Sequence, residues 1–343
     1  MGKINVVING YGRIGRSLLR ILYEKKLLGK SVEVKAINDL SGLEGAVYLT
    51  KYDTVHGRFN GEVKAKNNNL VIGDYEIPFL AEPDATKLPW KKNDVDVVLE
   101  CTGAFTSAEK ARVHLQAGAK KVFVSAPAKY SDNDKDCVTI VYKVNHEIYD
   151  PKQHTVISNG SCTTNCLAPV AKVLHENFEI ERGFMTTVHA YTNDQMVLDV
   201  AHKKELRRSR AAAENIIPTT TGAAKAIGLV IPSLKGKMDG LALRVPVPCG
   251  SIVDLVVNVK KQTTKEEVNA VMKKAAETSL KGVLEYTEDP IVSSDVVHTE
   301  VSSIFDAQST YVIGNMVKVL AWYDNEWGFS CRMVDVLTKV LAK

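Results

Sequence analysis

The stretch Gly10-Tyr11-Gly12-Arg13-Ile14-Gly15 constrains this chain more than any other, because of where it falls. Lys3 to Asn9 before it reads as an apolar strand, and after it Ile14, Leu18, Ile21 and Leu22 recur on one helical face. G-x-G-x-x-G alone is a weak pattern. Between a strand and an amphipathic helix it specifies a tight turn, a close backbone approach to a ligand, and a helix N-terminus facing a pyrophosphate. Asn38-Asp39 ends a second strand, Ser31 to Ile37. A carboxylate there accepts hydrogen bonds from ribose hydroxyls and repels a 2′-phosphate, so NAD rather than NADP is the expected cofactor.

The first half continues this grammar. Val95 to Leu99 and Lys121 to Ser125 are further short apolar strands, and Ser41…Glu44 and Thr106…Glu109 have the spacing of capping boxes opening helices. Strand–helix alternation predicts an α/β fold with a Rossmann-type, doubly wound parallel sheet. The second half is different. Phe184 to Tyr191, Leu241 to Pro246, Ile252 to Val259 and Met316 to Tyr323 read as long strands, and Thr264…Glu267 caps a helix carrying Val268, Val271, Met272 and Ala275. Long strands with few helices predict a second, α+β domain with a mixed, mostly antiparallel sheet covered on one face. The expected division is 1–160 and 161–328, with the helical stretch 329–343 completing the first domain.

At that boundary stands Ser161-Cys162-Thr163-Thr164-Asn165-Cys166-Leu167-Ala168. Leu167, Val170, Ala171 and Leu174 keep helical spacing, so Cys162 opens a helix, with a local kink expected at Pro169. A thiol there feels the positive end of the helix dipole and unpaired backbone N–H groups, which favour thiolate. A lone cysteine is more often a small buried hydrophobe, and Cys-x3-Cys fits neither a redox pair nor a zinc hairpin. With the boundary so close, the thiol is expected in the cleft between the domains. His189, in the strand pattern Met185 to Tyr191, is a residue type suited to pair with it and to transfer a proton near pH 7.

Composition narrows the function classes. The chain has 343 residues, 45% of them hydrophobic, and a net charge of +4, which suits small anions without demanding nucleic acid. Six scattered cysteines are not a disulfide framework, and no metal site is expected. The chain enters a strand at once with no signal-peptide pattern, and no apolar run is long enough to cross a bilayer, so a cytoplasmic protein away from membranes is expected. The basic run from His202 through Lys203, Lys204, Glu205, Leu206, Arg207 and Arg208 to Arg210 has no interleaved aromatics, so nucleic acid is not indicated. Thr219-Thr220-Thr221-Gly222 follows it, and Arg244 lies in a buried-looking strand where it needs an anion. Two clusters of Arg and Thr point to two phosphate-sized anions.

At this point the chain resembles the phosphorylating glyceraldehyde-3-phosphate dehydrogenases, essentially from end to end. The likeness rests on Asn9 to Arg16, Ser161 to Ala168, Thr187 to Thr192, Ile217 to Lys225, Leu243-Arg244-Val245-Pro246 and Trp322 to Gly328. The resemblance implies NAD-dependent oxidation of D-glyceraldehyde 3-phosphate, with inorganic phosphate, to 1,3-bisphosphoglycerate through a cysteine thioester, a step of glycolysis and gluconeogenesis. It makes Cys162 the nucleophile and His189 its ion-pair partner and base. Thr192 and Arg244 match groups binding the substrate phosphate; Ser161, Thr163, Arg208, Thr221 and Gly222 match the inorganic-phosphate site. Gly10, Gly12, Arg13, Ile14, Gly15, Asp39, Ser125 and Asn325 match cofactor contacts, with Asn325 holding the nicotinamide carboxamide. The family is homotetrameric, with the loop from Tyr191 to Asn215 near a neighbour's cofactor. Two departures stand out. Val200-Ala201 replaces a Leu-Pro common in strictly NAD-using members, which softens the discrimination expected from Asp39. Pro83 stands where many relatives place a larger side chain near the adenine. Erythrose-4-phosphate dehydrogenase is the enzymatic alternative, disfavoured by the retained Arg208 and Thr221; a moonlighting RNA-binding protein is the non-enzymatic one.

Overall fold

The computed structural model describes residues 3–202 and 205–342 and divides into two compact units. The first runs through Ile140, resumes over His146–Gly160 and includes the C-terminal stretch from Ser330; the second holds Val141–Asn145 and Ser161–Phe329. Lys203 and Lys204 of the basic run lie outside the described residues.

In the first unit, strands β1 (Ile4–Asn9), β2 (Val32–Asn38), β3 (Val63–Lys66), β4 (Asn69–Ile72), β5 (Tyr75–Leu80), β6 (Val97–Glu100), β7 (Lys121–Val124), β8 (Cys137–Thr139) and β9 (Val156–Ser158) form one sheet. Its order is β3-β4-β5-β2-β1-β6-β7-β9-β8. Every pairing from β5 through β8 is parallel, whereas β3, β4 and β5 pair antiparallel, an edge that the sequence reading did not foresee. Strand β6 is buried along its whole length and β1 nearly so, as a parallel sheet covered on both faces requires. Helix α1 (Arg13–Glu24) buries Leu18, Leu19, Ile21 and Leu22.

Two expected caps are displaced by one residue. Helix α2 (Leu43–Lys51) starts from Gly42, because the Ser41 hydroxyl is spent on the Asp39 carboxylate at 2.5 Å. Helix α3 (Ala108–Ala111) is capped by Ser107, whose hydroxyl accepts from the Lys110 N–H, while the Thr106 carbonyl is taken by Lys129. A short helix α4 (Val113–Gln116) follows.

Among the described residues the second unit has seven strands: β10 (Ile180–Ala190), β11 (Ile217–Thr220), β12 (Met238–Val245), β13 (Ser251–Val259), β14 (Leu284–Thr287), β15 (Ser303–Ile313) and β16 (Met316–Tyr323). Their order is β11-β12-β10-β13-β16-β15-β14, with β10·β12 and β14·β15 parallel and the other pairs antiparallel. The sheet is therefore mixed and mostly antiparallel. Helix α5 (Cys162–Phe178) lays Leu167, Val170, Ala171 and Leu174 on Val253, Leu255 and Val257, alternate residues of β13. It runs unbroken through Pro169. Helices α6 (Ala223–Val230) and α7 (Lys265–Glu277) share that core, and Thr264 and Glu267 form the expected capping box. Helix α8 (Trp327–Val336) leads into a π-helical turn, Leu337–Leu341. Among the described residues no helix is long and apolar enough to cross a membrane.

Candidate active site

Cys162 is the first residue of α5. Ser161 caps the helix, its hydroxyl accepting from the Thr164 N–H at 3.0 Å. This local geometry follows from sequence: a short hydroxyl side chain at the cap satisfies an orphan N–H and fixes the entry of the chain. His189 reaches the thiol from β10, with Nε2 3.4 Å from Sγ. Parallel pairing of β10 with β12 sets His189 directly beside Arg244. One guanidinium nitrogen of Arg244 lies 2.6 Å from His189 Nδ1 and donates to the Ala190 carbonyl at 2.9 Å; Nδ1 is itself 2.7 Å from that carbonyl.

The electrostatics differ from the expectation of a depressed thiol. Burial pushes the Cys162 thiol up, and the opposing pull of the Arg244 charge and of Thr163 does not offset it. Burial, then the Arg244 charge, lowers the His189 imidazole to about 3. The arrangement thus favours thiol and neutral imidazole over the ion pair, because a desolvated site disfavours both charges and a cation beside imidazole disfavours imidazolium. Cys166 is fully buried, its sulfur 3.5 Å from the Ser303 hydroxyl, and burial pushes it up to about 12.

The turn that carries Cys162 is held by groups that the sequence reading missed. The Tyr323 hydroxyl, at the end of β16, lies 2.9 Å from the Thr163 hydroxyl and 2.8 Å from that of Thr187 on β10. It ties the first turn of α5 to the strand carrying His189, and its ring stands edge-on to the imidazole. The available signal was period-2 alternation along β16, which turns Tyr323 inward.

The other anion-binding candidates share this unit. Arg208, in the turn Leu206–Ser209, ion-pairs with Asp194, donates to the Thr219 hydroxyl at 2.9 Å and lies 3.4 Å from Glu205. Its charge and that of Asp194 both act on Arg244. Thr192 follows β10, its carbonyl accepting from Gln195. Thr221 accepts from the Ala223 N–H, and Gly222 precedes α6. Thr163 is committed to Tyr323 rather than open. Asn325 accepts from the Gly250 N–H at 3.2 Å and the Ser251 hydroxyl at 2.9 Å, which leaves its amide nitrogen as the group to offer a ligand.

The other nucleotide-binding candidates lie in the first unit. Gly10, Gly12 and Asp39 line a cavity of about 430 Å³ together with Asn9, Asn38, Glu82, Pro83 and Thr102. Gly10, at φ +91°, could carry no side chain, since a Cβ would sit 2.6 Å from the Thr102 nitrogen. A Cβ on Gly12 would enter open space, the cradle a pyrophosphate fits, and α1 begins there with no side-chain cap and no acid in its first turn. Gly15 meets the Gly10 carbonyl, a packing role. Asp39 accepts from the Tyr11 N–H at 2.6 Å and the Ser41 N–H at 2.8 Å; burial raises its pKa, but these bonds prevail and the net shift is downward. These residues fit a dinucleotide. Arg13, Ile14 and Ser125 do not line the cavity: the Arg13 guanidinium is engaged by Asp53, and Ser125 follows β7 with its N–H on the Glu100 carbonyl.

Comparison with known proteins accords with this geometry. Residues 4–108 match the family model for the glyceraldehyde 3-phosphate dehydrogenase NAD binding domain, and residues 161–325 match that for the C-terminal domain. The glyceraldehyde-3-phosphate dehydrogenase of Geobacillus stearothermophilus is 56% identical over 341 residues, 99% of each chain. Glyceraldehyde-3-phosphate dehydrogenase 2 of Streptomyces avermitilis is 55% identical over 334 residues, 97% of each chain, and its Bacillus subtilis namesake 52% identical over 342 residues, 99% of this chain and 98% of the relative. The chain belongs to the glyceraldehyde-3-phosphate dehydrogenase family.

Proposed function

We propose that this chain catalyses NAD-dependent oxidative phosphorylation of D-glyceraldehyde 3-phosphate to 1,3-bisphosphoglycerate through a thioester on Cys162. The reading is carried by the Cys162 Sγ–His189 Nε2 contact of 3.4 Å, with Arg244 on the far nitrogen of the same ring. Arg244 and Thr192 take the substrate's phosphate. That dianion offsets the cation that depresses His189, so the imidazole gains the capacity to hold a proton when substrate is bound. The sulfur adds to the aldehyde carbon, the thiol proton passing to Nε2 and on to the new hydroxyl. His189 then removes that hydroxyl proton as the carbon loses hydride. Bound NAD supplies the hydride acceptor. The carbon becomes a thioester carbonyl; an oxygen of inorganic phosphate attacks it, the C–S bond breaks, and the leaving sulfur takes the proton held on His189, restoring thiol and neutral imidazole with the acyl phosphate free.

Ser161, Arg208, Thr221 and Gly222 serve the inorganic phosphate, and Thr163, whose hydroxyl is held by Tyr323, braces that site. Gly10, Gly12 and Asp39 serve the cofactor from the cavity wall, Gly15 packs the turn that holds it, and Arg13, Ile14 and Ser125 stand outside that lining, with Asn325 donating to the cofactor's carboxamide. Residues 1–160 with 329–343 are the NAD-binding domain and 161–328 the catalytic one, working as a cytoplasmic homotetramer in glycolysis. Incubation with substrate and NAD without phosphate, followed by peptide mass spectrometry, should find a phosphoglyceryl thioester on Cys162. An adduct on another cysteine, or none, overturns the reading.

A further inference from the structure

Beneath the cavity of the first unit runs a buried polar chain that none of the roles above uses. Glu100, at the end of β6, is 1% exposed, and His114 in α4 is fully buried. His114 Nε2 lies 3.0 Å from Glu100 Oε2, and its Nδ1 accepts from the Trp90 indole N–H at 3.2 Å. An indole N–H only donates, so Nδ1 is the acceptor and Nε2 carries the hydrogen toward Glu100. The same Oε2 accepts from the Asn9 side-chain amide at 2.6 Å. That fixes the Asn9 amide, whose oxygen accepts from the Asn38 amide at 2.8 Å. Asn38 is fixed in turn: its nitrogen also donates to the Glu82 carbonyl at 3.1 Å, and its oxygen accepts from the Glu82 N–H at 2.9 Å.

The other carboxylate oxygen acts on the opposite wall. Oε1 accepts from the Thr102 N–H at 2.8 Å and from the Thr102 hydroxyl, and that hydroxyl accepts from the Ala104 N–H at 3.0 Å. Asn9, Asn38, Glu82, Thr102 and Ala104 all line the cavity, whereas Glu100, His114 and Trp90 do not. One acceptor-only group therefore sets the donor–acceptor sense of every link to both walls.

We propose that Glu100, oriented by His114 and Trp90, is a positioning residue for the nucleotide: it holds the Asn38–Glu82 wall and the Thr102–Ala104 wall of the pocket in their binding geometry. This rests on the reading of the cavity as the NAD site. A Gln at 100 retains the volume but introduces an NH2 that faces either the His114 and Asn9 donors in place of Oε2 or the Thr102 N–H in place of Oε1, so the links to one wall break.

The test is calorimetric titration of NAD and of ADP-ribose into wild-type protein, Glu100→Gln, His114→Gln and His114→Leu, well below each unfolding temperature, with kcat measured at saturating NAD. Gln at 114 retains a donor near the position of Nε2; Leu does not. The account predicts at least tenfold weaker binding of both ligands to Glu100→Gln and His114→Leu, nearer wild-type binding to His114→Gln, and kcat within twofold throughout. Folded Glu100→Gln binding NAD within twofold of wild type overturns the inference. Should that variant not fold, equal affinities of the two His114 variants overturn it, and a tenfold gap between them supports it. Failure of the wild-type protein to bind NAD would instead overturn the underlying reading.

Discussion

Replacing Arg244 with leucine should move the whole pH profile of Cys162 alkylation to higher pH. The Arg244 cation disfavours any proton added nearby, so it lowers both the Cys162 thiol and the His189 imidazole, and its removal raises both. With a guanidinium nitrogen 2.6 Å from Nδ1, the charge centres lie about 4 Å apart, and at an effective dielectric of about 20 they interact by about 4 kcal/mol. At 1.36 kcal/mol per unit that is an upper bound of about 3 pH units. Hydration of the shortened site screens roughly half of it, leaving a shift of about 1–2 units. Because both groups move the same way, the exchange between neutral pair and ion pair stays nearly constant while both limbs of the profile move together. The assay is the second-order rate of iodoacetamide alkylation from pH 4 to pH 11, with the site confirmed by mass spectrometry. Arg244→Lys, which retains the charge, should shift less. A profile superimposable on wild type, or one displaced to lower pH, refutes the electrostatic reasoning.

Three further variants separate the steps. Arg208→Ala should raise the KM for inorganic phosphate at least tenfold, since a charge-assisted hydrogen bond contributes about 1.5–3 kcal/mol; the KM for glyceraldehyde 3-phosphate, measured in parallel, should change little. His189→Asn should slow single-turnover NADH formation by about 10²–10⁴-fold, the usual contribution of a general base, with NAD binding intact by calorimetry. Asp39→Ala should move the ratio of kcat/KM for NAD over NADP toward NADP, by removing a carboxylate held ionised by the Tyr11 and Ser41 N–H groups; an unchanged ratio places discrimination elsewhere, with Val200-Ala201 the next segment to vary.

What could be read in the sequence was local. The start of α5 at Cys162 follows from a cap residue and a helical stripe, and β16 falls on Met316–Tyr323 as alternation predicts. The glycine turn is legible because Gly10 and Gly15 answer steric demands at one neighbouring strand or within a few residues, while Gly12 leaves open space at the start of α1. What was missed depends on partners far along the chain. His189 and Arg244 are 55 residues apart, and only the parallel register of β10 on β12 makes them neighbours. Tyr323 lies 160 residues from Thr163, and Glu100 meets Asn9 across 91. The cap at Ser107 and the lost cap at Ser41 show the same limit at short range: Thr106 and Ser107 offer adjacent hydroxyls for one role, and the Ser41 hydroxyl is taken by Asp39 two residues before it. The depressed imidazole was not legible either, because burial is a property of the packed unit and not of the strand that carries His189.

On the proposed mechanism, Cys162 carries the acyl group from oxidation to phosphorolysis. The most direct test is NADH formation from glyceraldehyde 3-phosphate followed by rapid mixing, with and without inorganic phosphate, for wild type and Cys162→Ser. The account predicts one equivalent of NADH per active site without phosphate, sustained turnover when phosphate or arsenate is added, and neither phase in the serine variant. Sustained turnover without phosphate, or a burst from Cys162→Ser, would contradict it.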